Sequence, residues 1–211
     1  MLIIGAKGFA KEVLEILHQN GQTENLCFYD DVNDDLPEKL FGQFPVLRTI
    51  EEAKTYFKQT SNQFVLGIGN PFLRKKLCDK FESIGGELSS VISKHAEIGS
   101  FGIQINSGCN ILSGAKFSND VTIGKGTMVY YNSVITHDVR IGEFCEISPS
   151  VSILGRVHMG SFVSIGAGSV IFPDVVIGSN SVIAAGAVVR NDVPANVMVA
   201  GVPAVVKKEF I

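Results

Sequence analysis

His137 stands in Ile135-Thr136-His137-Asp138, an imidazole followed at once by a carboxylate. Histidine titrates near neutrality and can take a proton from an attacking amine or hydroxyl. The adjacent Asp138 could fix the ring's tautomer and steady the charge it gains. The other histidines have no such partner. His18 lies near the end of a predicted helix, while His95 and His158 read as ordinary surface residues. Cys27, Cys78, Cys109 and Cys145 are widely spaced and form no C-x-x-C pair, so neither a zinc knuckle nor a disulfide framework is indicated. No ligand spacing supports a metal.

The element that must position His137 is a repeat. Every sixth residue from Ile105 to Val189 is large and apolar, fifteen in succession. At 45% hydrophobic composition such a run has a chance probability of about 10⁻⁵. The residue four places further on, from Cys109 to Val193, is small or β-branched each time. One bulky and one small inward position per hexad, with glycines such as Gly124, Gly142, Gly160 and Gly178 between them, describes a narrow β-solenoid of 18-residue coils. Roughly five and a half coils fit between Ile92 and Pro194, with an extra residue between Ile98 and Ile105 shifting the phase of the first. Cys145 falls on a small inward position and is expected to pack there. One coil after His137 stands Gly155, which should stack beside it. A glycine there leaves space for a thioester and an N–H for its oxyanion.

The first half reads differently. Met1 to Ile4 is an apolar run into Gly5-Ala6-Lys7-Gly8. Phe9, Val13, Ile16 and Leu17 then share a helical stripe that stops at Asn20-Gly21. Strands are predicted over 26–29 and 64–68, and a helix over 72–81, a βαβ pattern with a small parallel sheet. Glycines at a strand-to-helix turn admit a phosphate to the positive end of a helix, and Asp30, 22 residues after Gly8, could hold a ribose hydroxyl. The same loop also serves as a plain tight turn. It is G-x-x-G and supplies one mononucleotide-binding half, which fits a nicotinamide dehydrogenase poorly.

The hexads, such as Ile165-Gly166-Ala167-Gly168-Ser169-Val170, resemble those of the hexapeptide-repeat acyltransferases, left-handed parallel β-helices. Val199-Ala200-Gly201-Val202-Pro203-Ala204 resembles the G-x-P-A segment that closes many of them near the adenine end of coenzyme A. A Rossmann-like domain (1–88) before such a helix (89–211) resembles the family of sialic-acid O-acetyltransferases and bacillosamine-type nucleotide-amino-sugar N-acetyltransferases. The resemblance implies an acetyl-CoA-dependent enzyme acting on the 4-amino group of a nucleotide-linked amino-deoxy sugar. It implies His137 as base with Asp138 beside it, in the segment Asn132-x4-His137-Asp138. Acetyl-CoA would lie along Gly155, Gly166, Ala167, Ala184 and Ala185, and near Glu146, where relatives commonly carry histidine. The nucleotide-sugar would face Gly5, Ala6, Lys7, Gly8, Phe9, Asp30, Asp31, Gly69 and Asn70. It further implies a homotrimer with coenzyme A between chains. O-acetylation of a sialic-acid-like sugar is the alternative, and a non-catalytic β-helix that only binds or scaffolds is a third.

With 18 basic and 21 acidic residues the net charge is −3, which offers no counterion-releasing face for nucleic acid. The apolar start is too short for a signal h-region or a membrane span, so a cytoplasmic protein without membrane insertion is expected.

Overall fold

The computed structural model describes residues 1–210. Its first part is a six-stranded sheet flanked by helices. The elements run β1 (Leu2–Ile4), α1 (Gly8–Gln19), β2 (Cys27–Tyr29), β3 (Lys39–Leu40), β4 (Phe44–Leu47), α2 (Ile50–Gln59), β5 (Gln63–Leu66), α3 (Pro71–Glu82) and β6 (Glu87–Leu88). The order across the sheet is β3-β4-β2-β1-β5-β6, parallel except for the β3–β4 pair. The chain winds outward from β1 to β4 and then crosses back to β5, so β1 and β5 flank a topological switch point.

Gly5 turns the chain out of β1 at φ +102°, and a Cβ there would lie 2.7 Å from Ile68 and 2.9 Å from the Gly67 carbonyl. The strand expected over 64–68 ends at Leu66, because Gly67 is pressed under α1, where a Cβ would meet Ala10 at 2.7 Å. The sequence reading omitted β3, β4 and α2. The helix α2 does carry a local mark: Thr49 and Glu52 form a reciprocal capping box.

From Val91 to Val189, two-residue strands repeat in three parallel ladders, the faces of a left-handed prism, and an antiparallel hairpin, Val197–Gly201 with Ala204–Glu209, closes the first face. The first runs through Val91–Ile92, Asn110–Ile111, Met128–Val129, Glu146–Ile147, Ser164–Ile165 and Val182–Ile183. The second runs from Glu97–Ile98 through Val134–Ile135 to Val188–Val189, and the third from Gln104–Ile105 through Arg140–Ile141 to Val176–Ile177. Pairing is at 18 residues, but Glu97 pairs Lys116 at 19, which places the inserted residue in the first coil. The bulky inward positions are buried except Ile105, half-buried in that irregular coil. Inward polar groups satisfy themselves: the hydroxyls of Thr127, Ser133 and Ser169 each donate to a carbonyl 15 residues on, all at 2.9 Å. Cys145 donates likewise to the Gly160 carbonyl, and burial pushes its thiol up to about 12, consistent with packing and not acyl carriage.

The sheet domain rests on the first face. Arg74 of α3, fully buried, donates from Nε to the Gly126 carbonyl (3.1 Å) and from Nη2 to those of Phe144 (2.9 Å) and Cys145 (2.8 Å). Its Nη1 reaches the Gly69 carbonyl and the Met128 sulfur. Asn110 donates to the Leu66 carbonyl, and Lys125 pairs Glu82 at 2.7 Å. Among the described residues no helix is long and apolar enough to cross a membrane.

Candidate active site

The turn from the second face to the third carries His137 and Asp138. Their side chains meet at 2.7 Å, Nδ1 to Oδ2, each about half exposed. With the carboxylate ionised, Nδ1–H donates and Nε2 keeps its lone pair, the form a base needs. Asp138 is held at φ +60°, in the left-handed region that Asp and Asn tolerate best among non-glycine residues. One rung on, Gly155 lies under the ring: a Cβ there would stand 2.5 Å from Cε1 and 2.7 Å from Nε2 of His137. The space expected for a thioester is thus filled by the imidazole, and the glycine's first role is to let the ring lie flat on the coil. On the next rung Arg156 and Asp174 form a bidentate pair at 2.6 and 2.8 Å that braces this corner.

The small residues expected along acetyl-CoA stand elsewhere on the prism. Gly166 and Ala167, with Ala184 and Ala185 one rung on, occupy the turn from the first face to the second. A Cβ on Gly166 would lie 2.4 Å from the Ala185 nitrogen, so coil stacking already requires that glycine. Glu146 is also away from His137. It lies on the first face, half-buried, and burial raises its carboxyl above the ordinary range against the opposing pull of Arg74. Within one chain these residues do not meet His137; the small residues and the His137–Asp138 pair flank opposite edges of the second face.

In the sheet domain a crevice of about 180 Å³ opens at the carboxyl ends of β1 and β5, lined by Gly5, Tyr29, Asp31, Ile68, Leu73 and others. Asp30 lines it too but is buried and spent. It accepts from the backbone N–H groups of Ala6, Val32 and Asn33 and from the Asn33 amide, so it shapes the loop instead of offering a free carboxylate to a ribose. Asp31 is the accessible acid. Burial would raise its carboxyl, but hydrogen bonds from Lys80 (2.9 Å) and Tyr29 (2.7 Å) outweigh that and hold it below the usual range. Lys7 turns outward to Asp35, and Gly8 opens α1. Phe9 packs on Tyr130 of the first face with centroids 5.3 Å apart, and the Gly69 carbonyl is taken by Arg74. Asn70 caps α3 and lines a different, larger cavity. Tyr29, Lys80 and Arg74 were not picked out from the sequence; all three gain their roles from contacts with distant segments.

The model of the PglD N-terminal domain matches residues 1–81, and that of the bacterial transferase hexapeptide (six repeats) matches residues 157–191. No curated protein matches the chain. Among solved structures, a histidine-to-asparagine variant of perosamine N-acetyltransferase from Caulobacter crescentus, in complex with CoA and GDP-perosamine, is 29% identical. It superposes with a TM-score of 0.90 over 99% of this chain and 96% of that one. The acetyltransferase domain of PglB from Neisseria gonorrhoeae FA1090 is 25% identical, with a TM-score of 0.87 over 98% of both chains. WeeI from Acinetobacter baumannii AYE is 27% identical, with the same TM-score and coverage.

Proposed function

Because the chain belongs to the hexapeptide-repeat acyltransferases of the bacillosamine type, with a PglD N-terminal domain, we propose that it transfers acetyl from acetyl-CoA to the 4-amino group of a nucleotide-linked amino-deoxy sugar. The observation that carries this reading is the His137–Asp138 contact over Gly155, on a fold that superposes almost end to end on an enzyme bound to CoA and a nucleotide-linked amino sugar.

His137 Nε2 takes the proton as the neutral amine attacks the thioester carbonyl, and Asp138 stabilises the imidazolium. A backbone N–H at the Gly155 turn, which donates no hydrogen bond to the described residues, is suited to the developing oxyanion. Collapse expels the thiolate, which recovers the proton from His137 and leaves the amide product. The reaction is a single displacement with no acyl-enzyme. The sheet domain (1–88) holds the nucleotide-sugar at Gly5, Asp31 and their neighbours, and the solenoid (89–211) carries the chemistry. Since Gly166, Ala167, Ala184 and Ala185 flank the edge of the second face opposite His137, they serve the coenzyme A bound against a neighbouring chain's His137. By the family resemblance the working assembly is a homotrimer, acting in the cytoplasm on surface-glycan precursors.

The test is thiol release from acetyl-CoA with UDP-, dTDP- and GDP-linked 4-amino-deoxy sugars, and with free and CMP-linked sialic acid. Turnover of an amino sugar is expected, falling about 10²–10⁴-fold in His137→Ala with acetyl-CoA affinity retained. Turnover of sialic acids alone would replace N- by O-acetylation. Silence across the panel in folded trimer would leave a scaffold.

A further inference from the structure

A cavity of about 550 Å³ lies between the start of α3 and the turn from the third face to the first, away from the His137 corner. Its composition is specific. One wall is an aromatic pair, Phe162 on Phe72 of α3 (centroids 5.2 Å, planes 2° apart), backed by the buried ring of Phe144 on Phe162 (5.8 Å, 11°). Phe144 and Phe162 occupy left-handed positions at φ +52° and +60°, where a bulky side chain costs about 1–2 kcal/mol. Burial in the stack offsets that for Phe144, which is fully enclosed. Phe72 ends the stack 58% exposed, so its ring contributes little to the core.

The rest of the lining is neutral: Pro71, Val182 and Phe210 add apolar surface, and Asn70, Ser164, Asn180 and Asn196 supply the polar groups. On the rung after Phe162, Asn180 takes the place of the ring and donates to Asn196 Oδ1 at 2.9 Å. Asn70 spends its Oδ1 on capping α3. Toward the described residues this leaves the amide groups of Asn70 and Asn196, the Asn180 carbonyl and the Ser164 hydroxyl without partners. No lysine, arginine, aspartate or glutamate lines the cavity. Flat apolar faces, with two donors, an acceptor and a hydroxyl at the edge, match a planar, uncharged heterocycle bearing both donors and acceptors. They do not match a phosphate or a carboxylate.

We propose that this cavity is a nucleobase subsite, in which a base stacks on Phe72 and is read at its edge by Asn70, Asn180 and Asn196. The proposal rests on the nucleotide-dependent reading above, which supplies two sources for such a ring: the base of the sugar nucleotide and the adenine of coenzyme A.

Titration calorimetry on the full-length protein separates them. UDP, dTDP, GDP and CoA are titrated into wild type, Phe72→Ala and Asn180→Ala, with thiol release measured in parallel. Stacking on an aromatic side chain contributes about 1–3 kcal/mol per base, so Phe72→Ala should weaken the affected ligand about 5- to 150-fold. Melting should shift little, since the ring is mostly exposed. A loss confined to the nucleoside diphosphates assigns the cavity to the acceptor, and a loss confined to CoA assigns it to the donor's adenine. Wild-type affinities throughout in both variants would overturn the proposal. If acetyl transfer still proceeds there, the subsite alone falls and the enzymatic reading stands. Wild type that binds no nucleotide would sink both.

Discussion

Asp138→Asn is a clean perturbation of the proposed catalytic pair because the backbone will not resist it. Asp138 sits at φ +60°, a conformation Asn accepts as readily as Asp, whereas alanine would add about 1–2 kcal/mol of strain. What changes is one hydrogen bond, the 2.7 Å contact to His137 Nδ1. A bond to an ionised partner contributes about 1.5–3 kcal/mol and a neutral one about 1. With both side chains about half exposed, solvent screens the difference to its lower range, about 0.5–1 kcal/mol. A second effect acts on the tautomer. Asparagine can turn its amide toward the ring and donate to Nδ1, which moves the proton to Nε2 and blocks the base. Together these predict a fall in kcat of about 10- to 100-fold, or about 1.4–2.7 kcal/mol, with KM for acetyl-CoA unchanged. The assay is steady-state thiol release on the best amino-sugar substrate, with thermal melting as control. The melting point should fall by no more than about 4 °C, as for a loss of about 0.5–1 kcal/mol in a chain of this size. A kcat within twofold of wild type, in a preparation where His137→Ala is inactive, would refute the orienting role of Asp138.

Gly155→Ala should cost about 10²-fold or more in kcat with little loss of stability. The new Cβ, 2.5 Å from the imidazole, displaces the movable ring while the backbone can stay in place; kinetics and a melt on one preparation check this. Arg74→Met keeps an apolar stem but leaves the carbonyls of Gly69, Gly126 and Phe144 without their donor, for an expected loss of about 3–5 kcal/mol in denaturant unfolding. A loss below about 1 kcal/mol would show that water replaces the guanidinium. Glu146→Gln should raise the melting point at pH 7–8. Burial raises the Glu146 carboxyl in the folded state, so the fold binds the proton more tightly than the unfolded chain, and stability falls as pH rises from the ordinary carboxylate value through the raised one, leaving the cost fully present at pH 7–8. The advantage should vanish below about pH 4, where the glutamate is protonated in both states.

How much of this was readable beforehand depends on the range of the interactions involved. The hexads name their own burial, since a residue's place on the coil follows from its number modulo six, and the pairing at 18 residues carries His137 onto Gly155 without any knowledge of the rest. The His137–Asp138 contact is between neighbours in sequence. The β1 turn at Gly5 and the α1 stripe were likewise local. In contrast, β3, β4 and α2 carry short or weakly patterned signals, and nothing in the spacing shows that Asp30, expected to face the nucleotide-sugar, accepts from the N–H groups of Val32 and Asn33 in its own loop and of Ala6 in the turn after β1.

The sequence by itself therefore determined the solenoid, its coil length, the inward thiols and the His137–Asp138 contact, because each rests on periodic or adjacent residues. Only the tertiary structure decided how the sheet domain docks and what that does to the site. Arg74 finds three of its carbonyls 52 to 71 residues away, and Glu146 lies on the face against which that buried guanidinium docks instead of standing near His137. Phe72 meets Phe162 across the same docking surface to build the cavity wall. No spacing encodes these contacts. They arise when two independently patterned surfaces are pressed together, and the polar groups caught between them must find partners there.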